Sequence, residues 1–413
     1  LIYETLLVIK RLLGKKYDEA FTHHKLNGLP FQMECNSSND PVIVINQGNK
    51  ILKKTPQELC SIILQKLKTD VEKKLGEEVN KVVITVPAYF NVSQREATLA
   101  AAQDTGFTVL KLLNEPTAAA LTYYHETDSS ETNYSLVYDL GGGTFDVALL
   151  KREKLNIEII SVNGDTSLGG QDFDNLLVDY VSKKLQSTCN FKPKEKDEYC
   201  VLRNHCEHAK KTLSFAEETT ITLLGLVENH RKVQIPLKRE EFETIADDLF
   251  QKTIQVVDNC IKASGIQKDC IDEVILSGGS TRIPKIKKML SDYFDGKKLN
   301  TFVNPDQCVA EGAAIQGAMF SKNPEQKITK MQMTDVIPLS IGTDNHVGQM
   351  IFLIKRNTAI PAFGTSNFNT LDNNQTHMSI DIYEGERANV QDNRLLGEMT
   401  LQDLTPAPPG QCT

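Results

Sequence analysis

No stretch of the 413-residue chain reaches 18 uninterrupted apolar residues, so no membrane-spanning helix is expected. The opening, LIYETLLVIKRLL, is broken by Glu4, Lys10 and Arg11 and has no small-residue cleavage pattern, which argues against a signal peptide. An excess of positive charge is missing too. The net charge is −8, so nucleic acid is not expected as the main partner, and neither is a membrane. Short repeats and low-complexity tracts are absent, and a chain with 40% hydrophobic and 24% charged residues has the composition of a globular protein with room for two or three domains. The nine cysteines contain no CxxC pair; odd in number and widely spread, they suit reduced intracellular thiols better than a disulfide framework. Cys200, His205, Cys206 and His208 crowd together inside one predicted helix, which reads as a helix surface rather than a zinc site.

The Walker pattern GxxxxGK[ST] is absent as well, yet two glycine turns stand out. In DLGGGTFDV, Asp139 to Val147, three glycines follow the apolar run SLVY. Without Cβ atoms their N–H groups can converge on an anion. The following VALL makes this a hairpin tip rather than a helix start, flanked by Asp139 and Asp146. Carboxylates beside a phosphate suit a Mg²⁺ held through water. Taken by itself, an ordinary glycine-rich turn fits equally. The second turn, GGSTRIP from Gly278 to Pro284, links a strand to a helix with Pro284 in its first turn. A nucleotide can lie over Gly278 and Gly279 with the Arg282 guanidinium stacked on its base, or the turn can be purely structural.

The surrounding pattern alternates strand and helix, which implies α/β layers. Residues 56 to 76 carry apolar positions at 59, 62, 63, 67, 71 and 75, a helical stripe opened by Pro56 and stopped by Gly76. KVVITVP reads as a buried strand, SQREATLAAAQDTG as helix, TVLKLL as strand and PTAAALTYY as helix. Extended segments fill 134 to 162, helices follow at GGQDFDNLLVDYVSKKLQ and 196 to 214, and one long amphipathic helix is predicted from about Arg239 to Ala263. In CEHAKKTLS, Glu207, Lys210, Lys211 and Ser214 share a helix face able to grip ribose and purine, or simply to ion-pair in solvent. Lys10 and Glu115 can supply a phosphate-directed ammonium and a water-orienting carboxylate; each is otherwise a surface charge. From Lys322 the texture becomes a polar linker, and beyond it IFLIKRN, MSIDIYEGE and EMTLQDL read as short strands.

Together these segments resemble the seventy-kilodalton heat-shock protein chaperones, essentially end to end. VITVPAYFNVSQREAT, NEPTAAAL, YDLGGGTFDV, GDTSLGGQDFDN, SGGSTRIPKI, NPDQCVAEGAA, LIKRNTAIP and YEGERA occur in the family's order. The resemblance implies an α/β fold: an actin-like two-lobe ATPase with an incomplete first lobe, then a partial all-β peptide-binding sandwich. The boundaries it suggests are 1–322 for the ATPase domain, 323–336 for the linker and 337–413 for the β module. It implies ATP or ADP with Mg²⁺ as cofactors. Gly141, Gly142, Gly143 and Thr144 match a phosphate loop, Asp139 the Mg²⁺ side through water, Asp146 the attacking water, Lys10 the γ-phosphate and Glu115 metal and water. Glu207, Lys210, Lys211 and Ser214 match the adenosine-binding helix, with Gly278, Gly279, Ser280, Arg282 and Asp306 at the base and phosphate turn. Pro87 and Arg95 match residues that relay nucleotide state to the linker. Ile341, Phe368, Met378 and Ile380 match the cleft for extended apolar polypeptides. J-domain co-chaperones and nucleotide-exchange factors are implied partners, stress response the implied setting, and LIKRNT with Lys355 suggests the cytoplasmic branch.

Departures set further expectations. Family members open with a DLGTT hairpin, the opposite jaw to DLGGGT, and the sequence contains no second such turn. A chain that begins at Leu1 after this jaw is expected to hydrolyse ATP very slowly, to leave a sheet edge and apolar core uncovered and to fold poorly. Lys211 stands for a usual Arg and Glu311 for a usual Tyr; Thr343 and His346 stand for apolar residues. The polar linker KMQMTDV puts its docking in doubt, and without the last strands and helical lid a bound peptide is expected to exchange quickly. A truncated nucleotide- or partner-binding protein without turnover is the alternative reading. A sugar or acetate kinase of the same superfamily leaves YEGERA and the β-rich tail without a place.

Overall fold

The computed structural model describes residues 9–19, 31–47, 50–127, 132–227, 230–321, 328, 331–345 and 347–410. A three-stranded antiparallel meander, β1 (Gln32–Cys35), β2 (Pro41–Gln47) and β3 (Lys50–Lys54), leads into α1 (Pro56–Leu75). Thr55 and Glu58 cap that helix reciprocally: the Glu58 N–H donates to Thr55 Oγ1 and the Thr55 N–H to Glu58 Oε2. Gly76, with φ of +76°, ends it. Next come β4 (Lys81–Val86), α2 (Val92–Gln103), β5 (Thr108–Asn114) and α3 (Glu115–Glu126), with β4 and β5 paired in parallel.

Two expectations fail in this region. Of the apolar stripe on α1, only Leu59 is buried, while Ile62, Leu67, Val71 and Leu75 are exposed. β4 is half-buried along most of its length rather than enclosed. Among the described residues, β5 is its sole strand partner. A groove of about 320 Å³ lies between these elements, lined by Ile9, Leu13, Ile63, Ile84, Val86 and Phe90.

The central sheet begins with β6 (Asn133–Leu140), β7 (Phe145–Glu153) and β8 (Asn156–Asp165), an antiparallel run. α4 (Gly170–Cys189), α5 (Lys196–Leu213) and the hairpin of β9 (Glu218–Val227) and β10 (His230–Lys238) follow. The long helix expected from Arg239 is two, α6 (Arg239–Ile245) and α7 (Asp247–Ser264), broken at Ala246. The break seats Phe242 and Phe250 edge to face, both against Phe173 of α4. β11 (Glu273–Ser277) then runs parallel to β6 and leads through a short 3-10 turn into α8 (Pro284–Tyr293), followed by β12 (Leu299–Asn300) and α9 (Cys308–Met319). Alternate residues of β6 serve opposite faces of this sheet, so both are dry: Leu136, Tyr138 and Leu140 pack with α4, α5 and α7, whereas Val137 packs with α3.

The linker is not wholly irregular. β13 (Gln332–Thr334) adds to the sheet in parallel with β8, giving the order β12-β11-β6-β7-β8-β13. Met331 and Val336 are buried in the α3 core, so residues 331–336 dock despite their polarity, through backbone pairing and these apolar side chains. Residues 322–327 and 329–330 of the expected linker lie outside the described residues, as does His346. The β module forms one four-stranded antiparallel sheet, β14 (Ile341–Asp344), β15 (Met350–Ile354), β16 (Met378–Glu384) and β17 (Arg394–Leu401), in the order β15-β14-β16-β17. Among the described residues these four strands all belong to that one sheet.

Candidate functional site

The glycine turn is the tip of the β6–β7 hairpin, closed by the Gly141 N–H donating to Thr144 O at 3.1 Å. The hairpin leans on the N-terminus of α4, whose Gly170 and Gln171 N–H groups donate to the carbonyls of Gly141 and Gly142, each at 2.9 Å. A Cβ added at Gly142 would meet no atom within 4 Å, so this part of the loop faces open space. A Cβ at Gly170 would lie 2.8 Å from Ser280 Oγ, 3.3 Å from Lys210 Nζ and 3.5 Å from Gly142 Cα. Three motifs far apart in sequence therefore meet at one glycine.

Asp139 and Asp146 face each other across the hairpin as cross-strand partners. Burial and the nearby Glu115 charge push the Asp139 carboxyl up to about 7, against the opposing pull of Lys10 and Ser277. Asp146 is raised well above the carboxylate range, by burial first and then by Glu115 and Asp139. The Tyr89 N–H donates to its Oδ1 at 3.0 Å, while its buried Oδ2 has no hydrogen-bond partner. Lys10 Nζ lies 2.6 Å from Glu115 Oε1. Burial works against its charge, but Glu115, with Asp146 and Asp139, more than compensates and raises its pKa. Glu115 is the first residue of α3, directly after β5, rather than the last of a strand.

This chemistry fits a hydrated divalent cation. One ammonium serves three carboxylates, and one carboxylate oxygen is orphaned. Mg²⁺ characteristically retains water and uses few protein carboxylates.

The second turn abuts the first. Ser280 Oγ donates to Gly141 O at 2.9 Å, and Gly278, with φ of +83°, sits so close to β6 that a Cβ would lie 2.3 Å from Leu140 O. Arg282 is half-exposed, held by Asp306 Oδ2 at 2.6 Å. Asp306 Oδ1 also lies within 2.9 Å of a Cβ added at Gly279, so this aspartate braces both turn and arginine. On α5, Lys210 turns inward, 2.7 Å from Asp174 Oδ1 and donating to Gly170 O at 2.8 Å, whereas Lys211 stands in solvent paired with Glu207 at 2.6 Å. Ser214 lies one residue past the helix and caps it. Glu311 is exposed on α9.

Sequence reasoning missed Arg11 and Asp172. Ile9 and Leu12 anchor the helical turn 9–12 in a small core, and buried Arg11 reaches across to donate to Gly143 O at 2.7 Å and to pair with Asp172 Oδ2 at 2.5 Å. A paired charge beside Lys10 in an apolar opening was the available signal. Arg95 does connect toward the linker: its Nη2 donates to Ala88 O at 2.9 Å and Asn114 Oδ1 at 2.8 Å, and Asn114 Nδ2 donates to Asp335 Oδ2 at 2.9 Å.

In the β module, register puts Ile341, Met378 and Ile380 on one face, together with the buried Thr343. Met378 and Ile380 are buried; Phe368 is half-buried in the connection between β15 and β16.

A family model described as Hsp70 protein matches residues 2–413. The chain is 41% identical, over 98% of its length, to 63% of a heat shock 70 kDa protein of Neurospora crassa. It is 39% identical, again over 98% of its length, to 67% of the ribosome-associated molecular chaperone SSB of Candida glabrata, and 38% identical, over the same share, to 65% of heat shock cognate 70 kDa protein 3 of Dictyostelium discoideum. The chain thus spans a little under two thirds of the first of these.

Proposed function

The chain belongs to the Hsp70 protein family, and on that premise we propose that it is the nucleotide-binding and coupling part of an ATP-dependent chaperone for extended apolar polypeptides. The observation that carries the reading is the buried Asp139–Asp146 pair, with its orphaned oxygen, beneath a glycine turn that opens on free space. The N–H groups of Gly142, Gly143 and Thr144 would donate to phosphate oxygens, while that of Gly141 closes the hairpin on Thr144 O. Lys10 is held by Glu115 so that its ammonium faces the same region. Mg²⁺ bound there supplies charge neutralisation between phosphates and carboxylates. Asp146 would take up a water's proton, and Arg282, braced by Asp306, would be the residue to hold the base. Glu207, Lys210, Lys211 and Ser214 bound the nucleoside side, with Lys210 acting from within as a support.

Coupling to peptide follows a continuous chain of contacts. Tyr89 touches Asp146 through its N–H; its neighbour Ala88, directly after Pro87, accepts from Arg95; Asn114 passes the link to Asp335, next to β13. Ile341, Phe368, Met378 and Ile380 form the peptide-facing set. The proposed divisions are 1–322, 323–336 and 337–413, in the cytoplasm, with J-domain co-chaperones and exchange factors as helpers.

A polypeptide of these 413 residues carries one phosphate hairpin, and loss of even one charge-stabilising donor costs about a hundredfold to a thousandfold in rate. We therefore expect phosphate release from ATP to be very slow and to be restored when a DLGTT-bearing hairpin is grafted before Leu1. Release by the ungrafted chain at the rate of the grafted one overturns this reading.

A further inference from the structure

We propose that Ser277 is a positioning residue for the Asp139 carboxylate, and that Cys308 holds Ser277 in that role. The inference rests on the nucleotide-site reading above and adds two residues to it. Ser277 ends β11 as the in-register parallel partner of Asp139 on β6, so the two side chains share a face of the central sheet. It is completely buried, so its hydroxyl sits beside Asp139 without competing water, and its influence on that carboxyl favours the charged form.

A hydroxyl has one proton to give and two lone pairs to satisfy. Once the Ser277 proton is directed at a carboxylate, its oxygen calls for a donor. Cys308, the first residue of α9, supplies one: its Sγ lies 3.4 Å from Ser277 Oγ, closer than the alternative acceptor Pro305 O at 3.9 Å. Burial also keeps that sulfur a protonated thiol at neutral pH. The Cys308 carbonyl accepts from Thr122 Oγ1 of α3 at 2.6 Å, which fixes the donor to the frame. In the proposed arrangement the three groups form a buried series, the Cys308 thiol donating to Ser277 and the Ser277 hydroxyl to its register partner Asp139. Such a series fixes which carboxylate oxygen remains free for a hydrated cation, and each bond polarises the next.

Mn²⁺ is the probe, with the free ion counted by electron paramagnetic resonance in the presence of the whole chain. S277A should weaken Mn²⁺ binding about tenfold, the low end for loss of a partner behind a metal-facing group. C308A should weaken it less, the double variant S277A/C308A no more than S277A alone, and C308S should restore it, because a serine there donates equally well. Unchanged Mn²⁺ affinity in S277A, or additive losses in the double variant, would overturn the proposal. If the wild-type chain takes up no Mn²⁺, the cation-site reading is what fails. The series is then decided by the infrared S–H stretch assigned through its loss in C308A: D139N should move it to higher frequency, and an unmoved band overturns the series.

Discussion

Two glycines at the hairpin show how residue-scale space separates binding from folding. At Gly142 an added methyl meets nothing, so G142A should leave the melting temperature unchanged while filling the room left for a phosphate; ADP affinity in the presence of Mg²⁺ should fall about tenfold or more. At Gly169 the methyl would sit 2.7 Å from Gly142 C and O and 2.8 Å from Gly143 N, all backbone, so the loop must move. G169A should lower both melting temperature and affinity, as calorimetry and titration of the two variants will tell. Motifs advertised several residues whose neighbours the fold then supplies: Asp139 and Asp146 are cross-strand partners, Gly278 packs against the same hairpin, and Arg282 pairs with Asp306. Arg11, Asp172 and Ser277 were not legible, because their roles arise from partners that only the fold brings near.

Elements follow local signals until tertiary packing intervenes. The Thr55–Glu58 cap and Gly76 fixed the ends of α1 at the expected residues, and the β6–β7 hairpin needed only its glycines. Periodicity misjudged the face of α1 and the burial of β4, since it reports that a stripe wants cover, not that cover is supplied. The break at Ala246 escaped notice because both flanking segments keep helical spacing. The crossing of α9 over α3 allows a sharp test. A Cβ at Gly312 would lie 1.9 Å from Ala118 O, a fixed backbone atom, so G312A must push the helices apart. It should destabilise the chain by about 3 kcal/mol, at the upper end for overpacking, read from urea denaturation midpoints with an unchanged slope. A change within 0.5 kcal/mol of zero, the range of an ordinary surface substitution, would mean that α9 does not approach α3 this closely.

At the scale of the whole molecule, the β module is docked on the α/β part by polar contacts that no motif announced. The Val92 N–H donates to Glu384, Arg394 pairs with Glu19 at 2.6 Å and donates to Ser93 Oγ, and Arg356 and Asn357 bond the backbone of Val162. Glu384 is buried and the linker's Asp335 half-buried, and desolvation raises both carboxyls above their ordinary 4.5 and 3.8, despite the Val92 and Val336 N–H groups and Arg95. The docked form therefore binds their protons more tightly than an undocked form. This favourable contribution is complete below about pH 4 and is lost as pH rises through the raised values. Small-angle scattering should give a smaller radius of gyration near pH 5 than near pH 8, and D335N/E384Q should flatten that difference; a molecule that expands on acidification contradicts the assignment. The account as a whole depends on phosphate and cation sharing the open face of the Gly141–Thr144 hairpin. Titration calorimetry of the chain with ADP, in Mg²⁺ and then in chelator, tests this most directly: binding should be present with Mg²⁺ and at least about tenfold weaker without it, whereas equal affinity in the two conditions, or no binding in either, would contradict it.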